Sequence, residues 1–216
     1  QWLGSPKGVL VVDCSAIPKQ GRSSVGVSRQ WCGHLGKVEN CQVGVYLAYV
    51  GPKEHTLVDF RLYLPKEWSR DRRRRKQAGV PVGVRFQTRH QLALQMIQKH
   101  RQVLPHGWIA GDDEMGRNSQ FRAQLREMGE RYLLAVPRNT LIRDLEAPSA
   151  SGRGRCARKP PYQRVDQWAE SATEWRPIEV RLGEWRPAQI EVITRRVQTR
   201  LAARQGPEEL LVIFRT

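Results

Sequence analysis

Several features are scarce in this chain of 216 residues, and each scarcity removes a class of protein. The longest apolar runs, such as Val9 to Val12 and Leu210 to Phe214, fall far short of the ~18 residues a spanning helix needs, so no membrane span is expected. No charged-then-apolar leader opens the sequence, which argues against secretion and for a cytoplasmic location. The four cysteines, Cys14, Cys32, Cys41 and Cys156, do not form the dense disulfide framework of a small secreted domain. Cys32, His34 and Cys41 lack an accompanying CxxC pair, so buried reduced thiols are expected there in preference to zinc. A Gly-rich phosphate loop, a Ser-His-Asp arrangement and a nicotinamide fingerprint are all missing, and those enzyme classes drop out.

Negative charge is also scarce: 21 Asp plus Glu stand against 37 Lys plus Arg, a formal charge of +16. Arginine supplies 29 of the basic residues and lysine only 8. The excess is concentrated, because residues 61 to 110 hold 12 basic and 2 acidic groups, a balance of +10. Its centre is the run Arg70, Asp71, Arg72, Arg73, Arg74, Arg75, Lys76. Such a run is either a solvated mobile loop or a tracker of phosphates. With the rest of the chain also net basic, a polyanion partner is the better reading, and DNA binding should then weaken steeply with salt.

At this length the chain can bury a full core, either as one large domain or as one domain with an insertion. Residues 8 to 14 read as a buried strand, 40 to 50 as an alternating strand, and 57 to 64 as a third, the last two joined as a hairpin. Gly33 and Gly36 serve a turn before the second of these. Residues 89 to 103 have helical spacing closed by Pro105, and 108 to 110 form a short strand. Ser119 caps a helix to about Met128, Gly129 stops it, and residues 132 to 136 form another strand. The order implies a mixed α/β sheet flanked by helices. His90, His100 and His106 share no ligand spacing and read as surface histidines. Residues 147–162, rich in Pro, Gly, Ser and Arg, read as a linker. Strands are expected at 178–182, 190–197 and 210–214, with Trp168, Trp175 and Trp185 more as their small core than as a stacking platform. Glu174-Trp-Arg-Pro177 and Glu184-Trp-Arg-Pro187 are near copies and read as similar strand-edge turns.

Asp13 and Asp112 each stand at the end of a short apolar strand. Carboxylates from neighbouring strands at one sheet edge can bind Mg²⁺ or Mn²⁺, which prefer oxygen ligands, and such ions can activate water or a 3′-hydroxyl toward a phosphodiester. The bland reading is that Asp13 caps a turn and Asp112 a helix. Asp113 and Glu114 leave open which of three consecutive acids faces inward.

The stretches Gly8 to Gly21 and Ser24 to Val43, then Trp108-Ile-Ala-Gly-Asp-Asp-Glu-Met-Gly-Arg117, Phe121-Arg and Arg131 to Val136, resemble the catalytic region of bacterial insertion-sequence transposases of the DDE superfamily endonucleases. The resemblance runs from about residue 1 to 146. It implies a ribonuclease H-like fold that cuts transposon DNA ends and joins them to a target, with Asp13 as first and Asp112 as second catalytic, metal-binding aspartate. It further implies a two-metal Mg²⁺ or Mn²⁺ site, DNA as partner, a homodimer for the complete protein, and a bacterial cytoplasm with association to the nucleoid through DNA.

On this reading residues 1–146 are the catalytic core, 147–162 the linker and 163–216 a β-strand insertion that stops before the family's third acid, a Glu on a helix. Glu208 and Glu209 precede a strand-like run and are not taken as that Glu. Both ends of the chain read as cut, and the family's N-terminal DNA-recognition portion as missing. The expectation is a fragment that folds and binds DNA but has little strand-transfer activity by itself; the alternative is a non-catalytic basic DNA-binding module that keeps the fold. Phosphate contact is assigned to Arg70, Arg72, Arg73, Arg74, Arg75 and Lys76. Arg29, Trp31 and His34 are candidates to stack on or position a DNA end, with partial core as the competing reading for Trp31.

Overall fold

The computed structural model describes residues 3–148, 159–180, 187–201 and 204–216. Contacts divide the chain into two compact units, Gln1–Ala135 and Val136–Thr216.

The first unit opens with β1 (Val9–Pro18), β2 (Ser28–Cys32), a 3-10 turn at Gly33–Leu35, β3 (Lys37–Val50) and β4 (His55–Leu62). Helices α1 (Lys66–Arg70), α2 (Arg72–Gln77) and α3 (Arg89–His100) follow, then β5 (Trp108–Gly111), α4 (Asp113–Gly116), α5 (Ser119–Glu127) and β6 (Tyr132–Leu134). β3 pairs antiparallel with β1 on one edge; its other edge takes β2 along Lys37–Cys41 and β4 along Gly44–Val50. β5 and β6 add parallel to β1 on its far side. The resulting mixed sheet flanked by helices is the ribonuclease H-like arrangement the resemblance implies.

Period-two alternation explains the strands. Leu10, Val12, Val45, Leu47, Tyr49 and Ile109 send their side chains into one core, where they meet Met96 and Ile97 of α3 and Phe121 and Leu125 of α5. A capping box starts α3: Thr88 Oγ1 accepts from the Gln91 amide at 3.2 Å, and Gln91 Oε1 accepts from the Thr88 amide at 2.8 Å. The helix ends at His100, ahead of the stop expected at Pro105, and Arg101 donates to Glu130 at 2.6 Å.

Three local expectations need correction. β1 does not stop at Cys14 but runs to Pro18, so Asp13 lies within a strand. The basic run is ordered helix, with Asp71 capping α2 by accepting from the Arg74 amide at 2.8 Å. Nor are the histidines surface groups: His100 Nε2 lies 2.9 Å from Asp59 Oδ2, His106 Nε2 lies 3.2 Å from Glu130 Oε2, and His90 Nε2 lies 2.9 Å from the Glu114 carbonyl.

The second unit comprises β7 (Leu141–Asp144), β8 (Gln163–Arg164), α6 (Val165–Ser171), β9 (Arg176–Val180), β10 (Ala188–Leu201) and β11 (Arg204–Arg215). Its sheet runs β11-β10-β7-β8, with β9 on β10 as well. Because β7 pairs with β10 and β8, residues 136–146 belong here and not to the core expected to extend to 146. Ile142, Val165, Trp168, Ile193 and Val197 form the core, with Trp175 packed against it. Trp168 Nε1 donates to Asp144 at 3.0 Å. Trp185, Cys156, most of the expected linker and the second Glu-Trp-Arg-Pro copy lie outside the described residues.

Candidate active site

Parallel pairing between β1 and β5 places Val12 beside Gly111 as its last pair, so the next residues along the two chain segments are Asp13, still in β1, and Asp112, just past β5. Val12 is buried on the core face; Asp13, by alternation, is exposed on the other. Asp112 is likewise exposed where β5 gives way to α4.

Each carboxylate is held by backbone donors. Asp112 Oδ1 accepts from the amides of Glu114 at 3.1 Å and Met115 at 3.2 Å as the N-cap of α4. Asp13 Oδ1 accepts from the Cys14 amide at 2.7 Å. Partial burial pushes the Asp13 carboxyl above its ordinary range against that Cys14 hydrogen bond, and the negative charges of Asp112 and Glu114 push it further up. Burial also drives the Cys14 thiol up to about 12, with Glu114 adding to the rise and Arg89 opposing it. Asp13, Asp112 and Glu114 thus share one electrostatic neighbourhood. Asp113 is turned away to Arg117 Nη2 at 2.6 Å.

Arg89 and Glu114 tie this edge to α3. Arg89 Nη1 lies 2.7 Å from Glu114 Oε1, and the same guanidinium lies 5.0 Å from the centre of the Tyr63 ring. Sequence reading did not single out Arg89. The available signal was a cation in the first turn of a helix, where the macrodipole favours acids, so a nearby carboxylate was called for.

The basic run divides into two sets. Arg70, Arg72, Arg73 and Lys76 are exposed. Arg74 instead lies 3.8 Å over the Trp68 ring and donates to the carbonyls of Arg22 at 2.7 Å and Val27 at 3.2 Å. Arg75 donates to the carbonyls of Val84 at 2.6 Å and Pro81 at 3.1 Å. The Trp68 indole closes the same corner by donating to Val27 at 2.7 Å. On β2 and the turn after it, Arg29 and His34 are exposed, and Trp31 is 59% exposed, not a core residue. Cys32 and Cys41 are buried free thiols. Among the described residues no group of three or more His, Cys, Asp or Glu side chains is placed to hold a metal ion. No helix among them is long and apolar enough to cross a membrane.

The sequence profile of a family described as DDE superfamily endonuclease matches residues 1–197. No curated protein and no solved structure matches the chain.

Proposed function

The chain belongs to the DDE superfamily endonucleases, and on that premise we propose that it is part of a DNA transposase in which Asp13 and Asp112 are the first two catalytic carboxylates. The observation that carries this reading is the β1–β5 register, which sets Asp13 on β1 and Asp112 just beyond the end of β5, each one step past the Val12–Gly111 pair. Open α/β sheets gather their sites at such strand ends.

The donor set suits Mg²⁺ or Mn²⁺. Both groups are hard oxygen donors, and at Asp13, whose carboxyl is raised chiefly by burial, the negative charges of Asp112 and Glu114 add a crowding that a divalent cation would relieve. Two carboxylates would supply part of the coordination shell of such an ion. When bound, the ions would polarise a phosphodiester oxygen and promote attack by water or a 3′-hydroxyl. The protein's own part is positional. Two amides fix the Asp112 carboxylate, the Cys14 amide fixes that of Asp13, and Arg89 draws Glu114 into an ion pair.

Arg70, Arg72, Arg73 and Lys76, with Arg29, Trp31 and His34, would receive DNA through phosphate contacts and stacking. Transposon ends and target are the substrates of this reading, and cleavage with strand transfer the reaction of the complete protein. On this reading the chain binds DNA with an affinity that falls steeply with salt.

Mn²⁺ titration by calorimetry of the wild-type chain, Asp13→Asn and Asp112→Asn tests the proposal. Binding to the wild-type chain that is lost in either variant, with DNA affinity kept or raised, supports a shared metal site. Equal heats in all three would leave a basic DNA-binding module whose acids only cap backbone amides.

A further inference from the structure

Residues 19–27 join β1 to β2, and nearly every backbone carbonyl among them accepts a hydrogen bond. Asn40 Nδ2 donates to the carbonyls of Lys19 and Gly21, both at 2.7 Å. Gln42 Nε2 donates to Val25 at 2.5 Å, and Gln30 Nε2 to Gly26 at 3.4 Å. Arg74 takes the carbonyls of Arg22 and Val27, Trp68 shares that of Val27, and the Val27 amide donates to Ser24 at 3.1 Å. The amides behave in the opposite way. Among the described residues, the N–H groups of Gln20 to Gly26 donate to no protein acceptor, although Gly26 is buried and buried amides are almost always paired. With its carbonyls committed to β2, β3, α1 and α2, the segment has backbone hydrogen-bonding capacity left that is nearly all donor.

We propose that this segment is a phosphate-binding loop, in which the amides of Gln20 to Gly26 and the hydroxyls of Ser23 and Ser24 take the oxygens of a DNA backbone phosphate. Gly21 and Gly26 have φ of 79° and 78°, left-handed turns of the kind at which successive amides make an anion-binding concavity. Charge agrees with the donors. The segment holds Lys19 and Arg22 and no acid, and Gln20 to Ser24 are exposed. Amides grip a phosphate without reading bases, so the contact fixes the position of a strand and not its sequence.

Continuity with α2 points to a strand and not to a lone anion. Arg74 ties the loop to α2, whose Arg72, Arg73 and Lys76 are exposed, so the positive surface runs on past the reach of one phosphate. Asn40 and Gln42 are positioning residues here: they hold the carbonyls back and leave the amides to the ligand. The inference rests on DNA as the partner in the proposed function, and it does not depend on the roles of Asp13 and Asp112.

Amide NMR of the isotope-labelled chain, titrated with a DNA duplex and separately with inorganic phosphate, tests it. The expected result is that the duplex shifts the resonances of Gln20 to Gly26, and that inorganic phosphate moves the same set at far higher concentration. Ser23→Glu sets a carboxylate among the amides at an exposed position and should weaken DNA binding about tenfold by fluorescence anisotropy. Thr56→Glu makes the same charge change on β4, beside the β3 residues that pair with the opposite end of β1, and should weaken it less than about twofold. The NMR titration needs no variant and decides the matter if Ser23→Glu fails to fold. DNA binding that leaves these amides unmoved, or a Ser23→Glu no weaker than Thr56→Glu, overturns the loop and leaves the proposed function standing. Shifts with inorganic phosphate alone would make this a small-anion site and overturn its assignment to DNA. A chain with no affinity for DNA would overturn both readings.

Discussion

The guanidinium of Arg74 lies 3.8 Å from the ring centre of Trp68, while its Nη2 binds two carbonyls of the segment that follows β1. A cation engaged in this way is a structural brace, although it sits in the most basic run of the chain. Arg74→Ala should therefore lower stability by about 1–2 kcal/mol, through the lost ring contact and hydrogen bonds. Arg72→Ala and Arg73→Ala should leave the melting temperature unchanged. They should weaken DNA binding and reduce the slope of log affinity against log salt by about 1 each. Thermal melts and fluorescence anisotropy at several salt concentrations separate the two sets.

Asp112 caps α4, and on the proposed reading its charge also binds metal. Asparagine caps a helix as well as aspartate, so Asp112→Asn should melt with the wild-type chain while losing Mn²⁺ binding. Asp112→Ala abandons the Glu114 and Met115 amides and should cost about 1 kcal/mol as well. Denaturant melts of both variants without metal check the first duty, and calorimetry checks the second.

Asp59 should govern part of the acid sensitivity. Its burial favours the neutral acid, but hydrogen bonds from His100 and Lys99, the charge of Arg61 and the Phe60 amide outweigh that and hold the carboxyl at about 2. A carboxyl depressed by folding stabilises the protein above its ordinary value of 3.8 and loses that contribution as pH falls toward about 2. Asp59→Asn should cost about 2 kcal/mol at neutral pH, and the penalty should shrink across that acid window. Urea melts from pH 6 down to about pH 2 would display the convergence.

Gly116 has no room for a methyl group: a Cβ there would lie 1.8 Å from the Ala135 carbonyl oxygen, and that atom is backbone. Gly116→Ala should destabilise by about 3 kcal/mol. Gly129→Ala meets no neighbour within 4 Å and carries only the strain of its φ of +76°, so it should cost less. Paired denaturation curves test the ranking.

The legibility of the sequence tracked how local each cause is. The long strand β3 could be read because Cys41, Val43, Val45, Leu47 and Tyr49 alternate and all are buried. β2 was missed because Ser28–Cys32 offers few apolar positions, and its partner is the start of β3. α2 has no apolar stripe at all; a cap at Asp71 and the Arg74 brace hold it, and neither has a periodicity. α6 is too short for a period, and Trp168 fixes it through Asp144 on another strand. Asp13 and Asp112 could each be picked out beside a short strand. Their adjacency depends on a parallel register between β1 and β5, and the stretch between them gives no local sign of that.

The two aspartates also sit on backbone of unequal permanence. Asp13 belongs to a strand laddered to β3 along its whole length, whereas Asp112 lies where β5 ends and a four-residue helix begins. Segments with more ladder bonds exchange their amide hydrogens through rarer, larger openings. Amide exchange should therefore be slower around Asp13 than around Asp112. A cation arriving at this edge would slow exchange at the Glu114 and Met115 amides far more than along β1.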